Sequence, residues 1–209
     1  MYRISFVPIL VLILSVSFCP VGCAAEEGIT EKRTPDVVYV GSPRDVVAKM
    51  LDMVKVTKDD VLYDLGCGDG RIVATAAKKY GCRAVGYDIN PVRVREAVEN
   101  VKRNGVEDLV KIERKDIFKV DLSEASVVTL YLLPEMNVKL IPQLEKLKPG
   151  SRIVAHDYSI EGYPPDTTIT MNSKEDGVEH YVYLWTTPLK PGEEEEPEEE
   201  EESGVDEDE

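Results

Sequence analysis

Between residues 42 and 188 the chain alternates between two hydrophobic periods, one typical of helices and the other of buried strands. Apolar residues at helical spacing follow Ser42-Pro43-Arg44-Asp45, which has the form of a capping box with proline at the first helical position. A short apolar run at residues 61–65 ends at glycines, and the helical period resumes at Ile72. The pattern predicts a helix, a strand, a glycine turn and a second helix.

The same alternation continues through the rest of this region. Strands are predicted at residues 84–88, 109–113, 126–132 and 152–156, and helices at residues 91–104 and 135–147. Repeated strand and helix units indicate a parallel sheet with helices on both faces. The last apolar runs, residues 167–171 and 181–185, have no helix between them and predict a hairpin. We therefore expect an α/β, doubly wound, Rossmann-like fold whose mostly parallel sheet has an antiparallel edge hairpin.

The first 25 residues stand apart from this domain. Residues 4–18 are almost continuously apolar, with Arg3 before them and small residues after them, which is typical of a secretory signal peptide. The run is shorter than the roughly 17 to 25 apolar residues of a spanning helix, and Pro8 interrupts it, but a membrane anchor is the alternative. Val21-Gly22-Cys23 resembles a bacterial lipoprotein cleavage site, whereas ordinary cleavage would follow Ala25.

The opposite end of the chain is strongly acidic. Residues 193–209 contain thirteen Asp or Glu and no Lys or Arg, a composition that stays disordered. Setting those thirteen charges aside changes the net charge from −15 to −2, so no basic stripe remains for phosphates and we expect no nucleic-acid substrate. The tail is either a solubilising segment or a means of steering a basic protein substrate. The predicted organisation is a leader (1–25), a linker (26–37), a domain (38–188) and an acidic tail (189–209).

Two cysteines fall within the predicted domain. Cys67 lies in the loop after the first strand and Cys82 lies just before the second, at opposite ends of neighbouring parallel strands. At about 3.3 Å per residue their separation exceeds the limit of about 7 Å for a disulfide. We therefore expect two free thiols.

The first strand ends in a motif that carries chemistry. Residues 64–70 read Asp-Leu-Gly-Cys-Gly-Asp-Gly, and glycines there permit a sharp turn and the close approach of a ligand. The following helix directs its free N–H groups into the same crevice. A dinucleotide fingerprint is spaced differently and places a pyrophosphate at the helix start. The carboxylate of Asp64, two residues before the first glycine, instead suits the cationic amino acid end of S-adenosylmethionine (SAM).

Two further acids fall at the ends of the next two strands. Asp88 comes 18 residues after Gly70, where a carboxylate accepts the ribose hydroxyls, and Asp116 follows the third strand, where an acid accepts the adenine amino group. A turn or helix cap is the alternative for either aspartate. The residues predicted to bind SAM are Asp64, Gly66, Gly68, Gly70, Asp88 and Asp116.

With these residues, roughly 38–185 of the chain resembles the class I SAM-dependent methyltransferases. Tyr39-Val40-Gly41-Ser42, residues 64–73 and residues 128–134 are similar to a bacterial group related to the mitochondrial protein-lysine methyltransferases that modify ATP synthase and the adenine nucleotide translocase. The resemblance implies an enzyme that methylates a protein lysine. The alternatives are a small-molecule methyltransferase and a SAM-binding protein without transferase activity, while glycine spacing and Asp64 argue against a nicotinamide-dependent oxidoreductase.

Candidate residues for the acceptor side follow the fourth and fifth strands. Tyr131, His156 and Asp157 border the expected crevice, although residues at strand ends more often serve packing. Methyl transfer is an in-line displacement that needs no metal, and we expect none. Adenine-methylating enzymes usually carry Asn or Asp and then Pro-Pro-aromatic after strand four, which the sequence after Tyr131 lacks. The leader predicts an exported or membrane-attached chain, and Lys32 and Arg33 also permit a cytoplasmic-facing anchor.

Overall fold

The computed structural model of the protein describes residues 39–192, in which helices and strands alternate as the sequence predicts. The helices are α1 (Arg44–Met53), α2 (Arg71–Tyr80), α3 (Pro91–Asn104) and α4 (Pro134–Leu144). The strands are β1 (Val61–Leu65), β2 (Arg83–Asp88), β3 (Val110–Arg114), β4 (Val127–Leu130), β5 (Arg152–His156), β6 (Thr167–Asn172) and β7 (Glu179–Thr186). The predicted leader, the linker up to residue 37 and the acidic run 193–209 lie outside the described residues. Within the described residues, no helix is long and apolar enough to cross a membrane.

The seven strands form one sheet in the order β3-β2-β1-β4-β5-β7-β6. Neighbours from β3 to β5 pair in parallel, whereas β7 pairs antiparallel with both β5 and β6. The expected doubly wound sheet with an antiparallel edge hairpin is confirmed. The direction of winding reverses between β1 and β4, and in such sheets ligands bind beyond the carboxyl ends of the strands at that switch point.

Each face of the sheet packs against its own layer of helices, because successive side chains of a strand point to opposite faces. Leu62 in β1 packs in a buried cluster that includes Val46 of α1 and Val73 of α2. Leu65, three positions later, packs on the other face in a cluster that includes Leu140 of α4. Burial of one such side chain contributes about 1.5–3 kcal/mol to folding. The two layers hold the strand ends, and the loops that follow them, in fixed positions.

The start of α1 differs from the prediction, because Ser42 does not cap the helix. The N-cap position is Pro43, which offers no side-chain cap, and the Glu175 carboxylate accepts from the backbone N–H of Arg44 instead. The Ser42 hydroxyl lies 2.8 Å from Nδ1 of His156, at the end of β5. The Asp45 carboxylate accepts hydrogen bonds from the Ser173 hydroxyl and the Lys174 backbone. Partners distant in the sequence have replaced the predicted local cap.

Two further predictions concern the end of α4 and the two cysteines of the domain. The helix predicted at residues 135–147 ends at Leu144, and the next residues continue as a turn with bonds from Lys146 to Gln143 and from Leu147 to Leu144. The two domain cysteines, Cys67 and Cys82, are both buried and free, as predicted.

Candidate active site

A crevice opens at the carboxyl ends of β1, β2, β3 and β4. Its empty volume, including space that is open to solvent, is about 930 Å³. Its walls include the three predicted aspartates, the entry segment (residues 39–42) that precedes α1, and part of the glycine loop (residues 66–70). Gly66 is in the described lining, whereas the predicted Gly68 and Gly70 are not. The sheet therefore brings together residues from four strand ends and one N-terminal segment.

The glycine loop turns through backbone conformations that favour glycine. Gly66, Gly68 and Gly70 have φ angles of +82°, +53° and +72°. The backbone N–H groups of Gly66 and Cys67 donate to the Tyr87 carbonyl at 2.8 and 2.9 Å. These bonds fix the loop against the end of β2, so its shape is set by the fold.

Close neighbours give a second reason for glycine at these positions. A Cβ atom on Gly68 would lie 2.0 Å from Cε2 of Tyr39, and one on Gly70 would lie 2.9 Å from Cβ of Ala97 in α3. The sequence predicts close approach of a ligand at Gly68 but gives no sign of the Tyr39 ring. Gly70 serves the close packing of α2 against α3.

Asp64 is buried at the end of β1 and also lines the crevice. Its Oδ1 accepts a 2.7 Å hydrogen bond from the Thr129 hydroxyl, while its Oδ2 is buried with no hydrogen-bond partner among residues 39–192. Burial, with smaller contributions from the nearby charges of Asp88 and Asp69, raises the pKa of Asp64 to about 7, although the Thr129 hydrogen bond acts in the opposite direction. A cationic ligand would supply the missing partner and favour the ionised carboxylate.

Asp88 and Asp116 occupy the two positions predicted from the sequence, and both line the crevice. Asp88 accepts hydrogen bonds from the backbone N–H groups of Gly68 at 2.9 Å and Asn90 at 2.8 Å. Burial raises the pKa of Asp88. Asp116 accepts from the Phe118 N–H at 3.1 Å and so caps a short 3-10 turn (Ile117–Lys119). A carboxylate has about four acceptor sites, so the two backbone bonds of Asp88 leave capacity for a ligand.

An arginine holds the entry segment over the glycine loop. The guanidinium of Arg71, at the start of α2, donates to the Ser42 carbonyl at 2.7 Å and to the Asp69 carboxylate at 2.9 Å. The ring of Tyr39 lies under the Arg93 guanidinium, whose central carbon is 4.7 Å from the ring centroid. Burial and the charge of Asp69 raise the pKa of Tyr39 to about 12. Sequence reasoning missed these contacts, although Asp69 and Arg71 lie within or next to the glycine motif.

Of the three candidates for the acceptor side, Tyr131 lines the crevice, whereas His156 and Asp157 are outside its described lining. Tyr131 lines the crevice, and burial followed by the charge of Asp157 raises its pKa to about 12, so its hydroxyl stays protonated at neutral pH. His156 is fully buried behind Tyr131, with ring centroids 4.0 Å apart, and burial lowers its pKa to about 4. Neither His156 nor Asp157 is among the described residues that line the crevice. Any effect of these two on the crevice is transmitted through Tyr131 and Ser42.

The residues of the crevice fit SAM. The orphaned Oδ2 of Asp64 matches the ammonium group, and Asp88 and Asp116 offer acceptors at the predicted ribose and adenine positions. Apolar side chains that include Ile89 and Ile117 line the same space. SAM supplies an activated methyl group, and the chain's residues bind and orient it.

Comparisons with known proteins agree with this geometry. The model of the ANTKMT methyltransferase domain matches residues 64–167. A protein-lysine N-methyltransferase of Saccharolobus islandicus (strain REY15A) is 49% identical over 154 residues, which are 72% of this chain and 94% of that protein. A Homo sapiens lysine N-methyltransferase named for an ATP synthase subunit is 39% identical over 106 residues, and the match covers 50% of this chain and 45% of the human protein.

Solved structures give the same fold and the same cofactor class. An RNA methyltransferase from Salinibacter ruber in complex with S-adenosyl-L-homocysteine is 46% identical, covers 74% of this chain and 98% of its own, and has a TM-score of 0.68. A SAM-dependent methyltransferase from Geobacter sulfurreducens, at 13% identity and a TM-score of 0.57, shares the fold. These findings confirm the resemblance noted from the glycine motif and strand-end acids. The chain belongs to the ANTKMT methyltransferase domain family and is a class I, SAM-dependent methyltransferase.

Proposed function

We propose that the chain transfers the methyl group of SAM to lysine side chains of proteins. The observation that carries the proposal is the similarity to the Saccharolobus islandicus protein-lysine N-methyltransferase, at 49% identity along 94% of that protein. More distant relatives are named for lysine methylation of an ATP synthase subunit and of the adenine nucleotide translocase. The acceptor in each of these names is a lysine amine.

The acceptor side of the crevice supports an amine. Tyr131 lines the crevice, and its ring stacks on that of Tyr158 with centroids 6.2 Å apart and planes inclined by 18°. Tyr158 is 38% exposed, so the pair extends from the crevice to the surface. Aromatic faces attract ammonium groups. A lysine must lose its proton before it attacks, and its desolvation in the crevice beside these rings lowers its pKa against that attraction.

Charge distinguishes a protein acceptor from the RNA acceptor named for the Salinibacter ruber enzyme. The chain carries a net charge of −15, and of −2 without the acidic tail. RNA binding depends on basic groups that neutralise phosphates, and an acidic chain repels a polyanion. A basic protein is attracted by the same charge. A lysine-bearing protein is therefore the better match.

The experiment offers several acceptors at once. The purified chain is incubated with SAM labelled in its methyl group and with the protein, RNA and small-molecule fractions of one lysate. We expect label in protein, recovered as methyl-lysine after hydrolysis and identified by mass spectrometry. Gly68→Val, which disrupts the glycine loop, is the control for a contaminating enzyme. Label confined to RNA or to small molecules would overturn the lysine proposal and leave the methyltransferase class intact.

We further propose that residues 1–25 attach the chain to a membrane or export it. The apolar run at residues 4–18 supports this, as do Arg3 before the run and the small residues after it. Cell fractionation and protease accessibility test the proposal. A tagged chain found wholly in the soluble cytosolic fraction would contradict it.

A further inference from the structure

The two histidines of the chain meet at one point of the fold. His156 ends β5, and His180 lies near the start of β7, which pairs antiparallel with β5. Nε2 of His156 is 2.9 Å from Nδ1 of His180. Since the whole sequence contains only these two histidines, their meeting draws attention to what they could bind together.

A carboxylate completes a triangle of potential ligands. Oδ2 of Asp157 lies 3.3 Å from Nε2 of His156 and 3.0 Å from Nδ1 of His180. Around a tetrahedral zinc ion with bonds of about 2.0–2.1 Å, ligand atoms are about 3.3 Å apart. The observed triangle, with sides of 2.9, 3.0 and 3.3 Å, is close to the size that one metal ion spans.

The other polar atom of each ligand is held by a separate partner. Nδ1 of His156 lies 2.8 Å from the Ser42 hydroxyl, and Nε2 of His180 lies 3.1 Å from Oδ2 of Asp176. Oδ1 of Asp157 accepts a 3.0 Å hydrogen bond from the Tyr181 backbone. Metal-binding histidines are oriented in this way, with the nitrogen that does not bind the metal bonded to an oxygen.

These outer contacts determine what faces the centre of the triangle. An ionised Asp176 can only accept a hydrogen bond, so it selects the form of His180 that carries a proton on Nε2. A neutral His180 then presents the lone pair of Nδ1 toward the carboxylate of Asp157. These two acceptors, 3.0 Å apart, need a bridging donor or cation. A metal ion, a second proton on His180, or a proton on Nε2 of His156, which lies 2.9 Å from Nδ1 of His180, would each satisfy that requirement.

The backbone at Asp157 is strained in a way that favours a binding role. Asp157 has a φ angle of +57°, in the left-handed region that residues other than glycine rarely adopt. Such strain persists where surrounding structure determines the conformation and is concentrated at functional sites. Here the unusual turn directly after β5 directs the carboxylate to both histidines.

We propose that His156, Asp157 and His180 form a binding site for one divalent transition metal ion. Two imidazole nitrogens and one carboxylate suit Zn²⁺ and exclude Mg²⁺ and Ca²⁺, which select oxygen ligands. None of the three belongs to the described lining of the SAM crevice, so the ion has no part in methyl transfer itself. It joins β5 to β7 and, through Ser42 and Tyr131, stabilises the acceptor side of the crevice.

Imidazole NMR tests the proposal in the full-length chain. After metal is removed with a chelator, Zn²⁺ is added to ¹⁵N-labelled protein. The thirteen acidic residues at 193–209 also attract cations, but only His156 and His180 give imidazole signals, so binding to the tail does not interfere. We expect one equivalent of Zn²⁺ to shift both imidazoles and to raise the melting temperature.

Two variants complete the test. Asp157→Asn should weaken Zn²⁺ binding at least tenfold, whereas Glu179→Gln should leave it unchanged, because Glu179 neighbours His180 but contacts Tyr181. The response of each variant to SAM verifies that its domain is folded. Imidazole signals of the parent that do not respond to stoichiometric Zn²⁺ would overturn the proposal and favour a proton on one of the two histidines as the bridge. Equal Zn²⁺ affinities of parent and Asp157→Asn would overturn it as well.

Discussion

The backbone N–H of Gly68 donates a 2.9 Å hydrogen bond to Oδ2 of Asp88, which joins the glycine loop after β1 to the end of β2. The two strongest sequence signals of the SAM site are thus physically linked. The second oxygen of Asp88 accepts from the Asn90 N–H at 2.8 Å. The aspartate therefore shapes the loop and also offers acceptor sites for the ribose.

Replacement of Asp88 by alanine should weaken SAM binding by about 1.5–3 kcal/mol, the range for hydrogen bonds to a charged group. Such a loss corresponds to roughly a 10- to 150-fold rise in Kd. Calorimetry with SAM measures the change. Asp121→Ala, at an exposed turn outside the crevice, is the matched control and should bind as the parent does. An unchanged affinity of Asp88→Ala would remove Asp88 from the site.

The buried Asp64 predicts how SAM affinity depends on pH. Because burial raises its pKa to about 7, the carboxyl of the free protein is largely protonated below that pH. The SAM ammonium favours the ionised form, so affinity should fall as pH decreases below 7, by up to about tenfold per pH unit. Calorimetry from pH 5.5 to 8 tests this. Asp64→Asn should bind more weakly and with a flatter pH profile, and an identical slope would contradict the assignment.

In the absence of SAM, the Asp64 carboxyl should make the free energy of unfolding change with pH in the opposite direction to SAM affinity. The unfolded carboxyl ionises near its ordinary value of 3.8 and the folded one near 7, so the unfolded state binds fewer protons between these values. The free energy of unfolding should therefore fall as pH rises across this window. In urea unfolding experiments, the free energy of unfolding of Asp64→Asn should fall less with rising pH than that of the parent. A parallel pH dependence in both proteins would mean that Asp64 titrates normally.

Tyr39 and Gly68 offer a double-mutant test of the loop. Gly68→Ala should destabilise the domain by more than Gly105→Ala, because both glycines have positive φ but a Cβ on Gly105 meets nothing within 4 Å. The left-handed backbone alone accounts for about 1–3 kcal/mol. Gly68→Ala should therefore cost more free energy of unfolding than Gly105→Ala. When Tyr39 is also replaced by alanine, this difference should decrease by at least about 0.5 kcal/mol, as measured by urea unfolding. Equal losses at both glycines, with no coupling to Tyr39, would exclude the contact.

Local patterns in the sequence predicted most of the fold and the cofactor side of the crevice. Hydrophobic periods located the strands and helices, and Asp64, Asp88 and Asp116 stand where strand ends predicted them. Contacts that depend on sheet order were not predictable. Ser42 meets His156 across 114 positions of sequence, and a single sequence carries no signal for that pairing.

The position of His180 shows the same limit. The sequence predicts a hairpin from β6 and β7 but not which of the two strands lies beside β5. Because β7 takes the inner place, His180 reaches His156 and Asp157, which strand-end reasoning had placed beside the crevice. The strand order therefore places His156 and Asp157 in a cluster with His180, outside the described lining of the crevice.

The acidic tail gives a prediction about substrate encounter. Deletion of residues 193–209 should leave turnover on a basic protein unaltered if the tail only solubilises the chain. If the tail steers the substrate, its deletion should instead reduce turnover several-fold at low salt but not at high salt, because salt screens long-range attraction. Initial rates on one lysine-rich protein at two salt concentrations distinguish these cases. A loss that persists at high salt would contradict both interpretations.

A crystal structure of the chain with S-adenosylhomocysteine tests the SAM site most directly. The ligand should lie in the crevice at the ends of β1 to β4, with its amino group within hydrogen-bond distance of Oδ2 of Asp64. Its ribose hydroxyls should contact Asp88, and its adenine amino group should contact Asp116. Ligand density elsewhere, or in the crevice without contacts to Asp64 and Asp88, would contradict this arrangement.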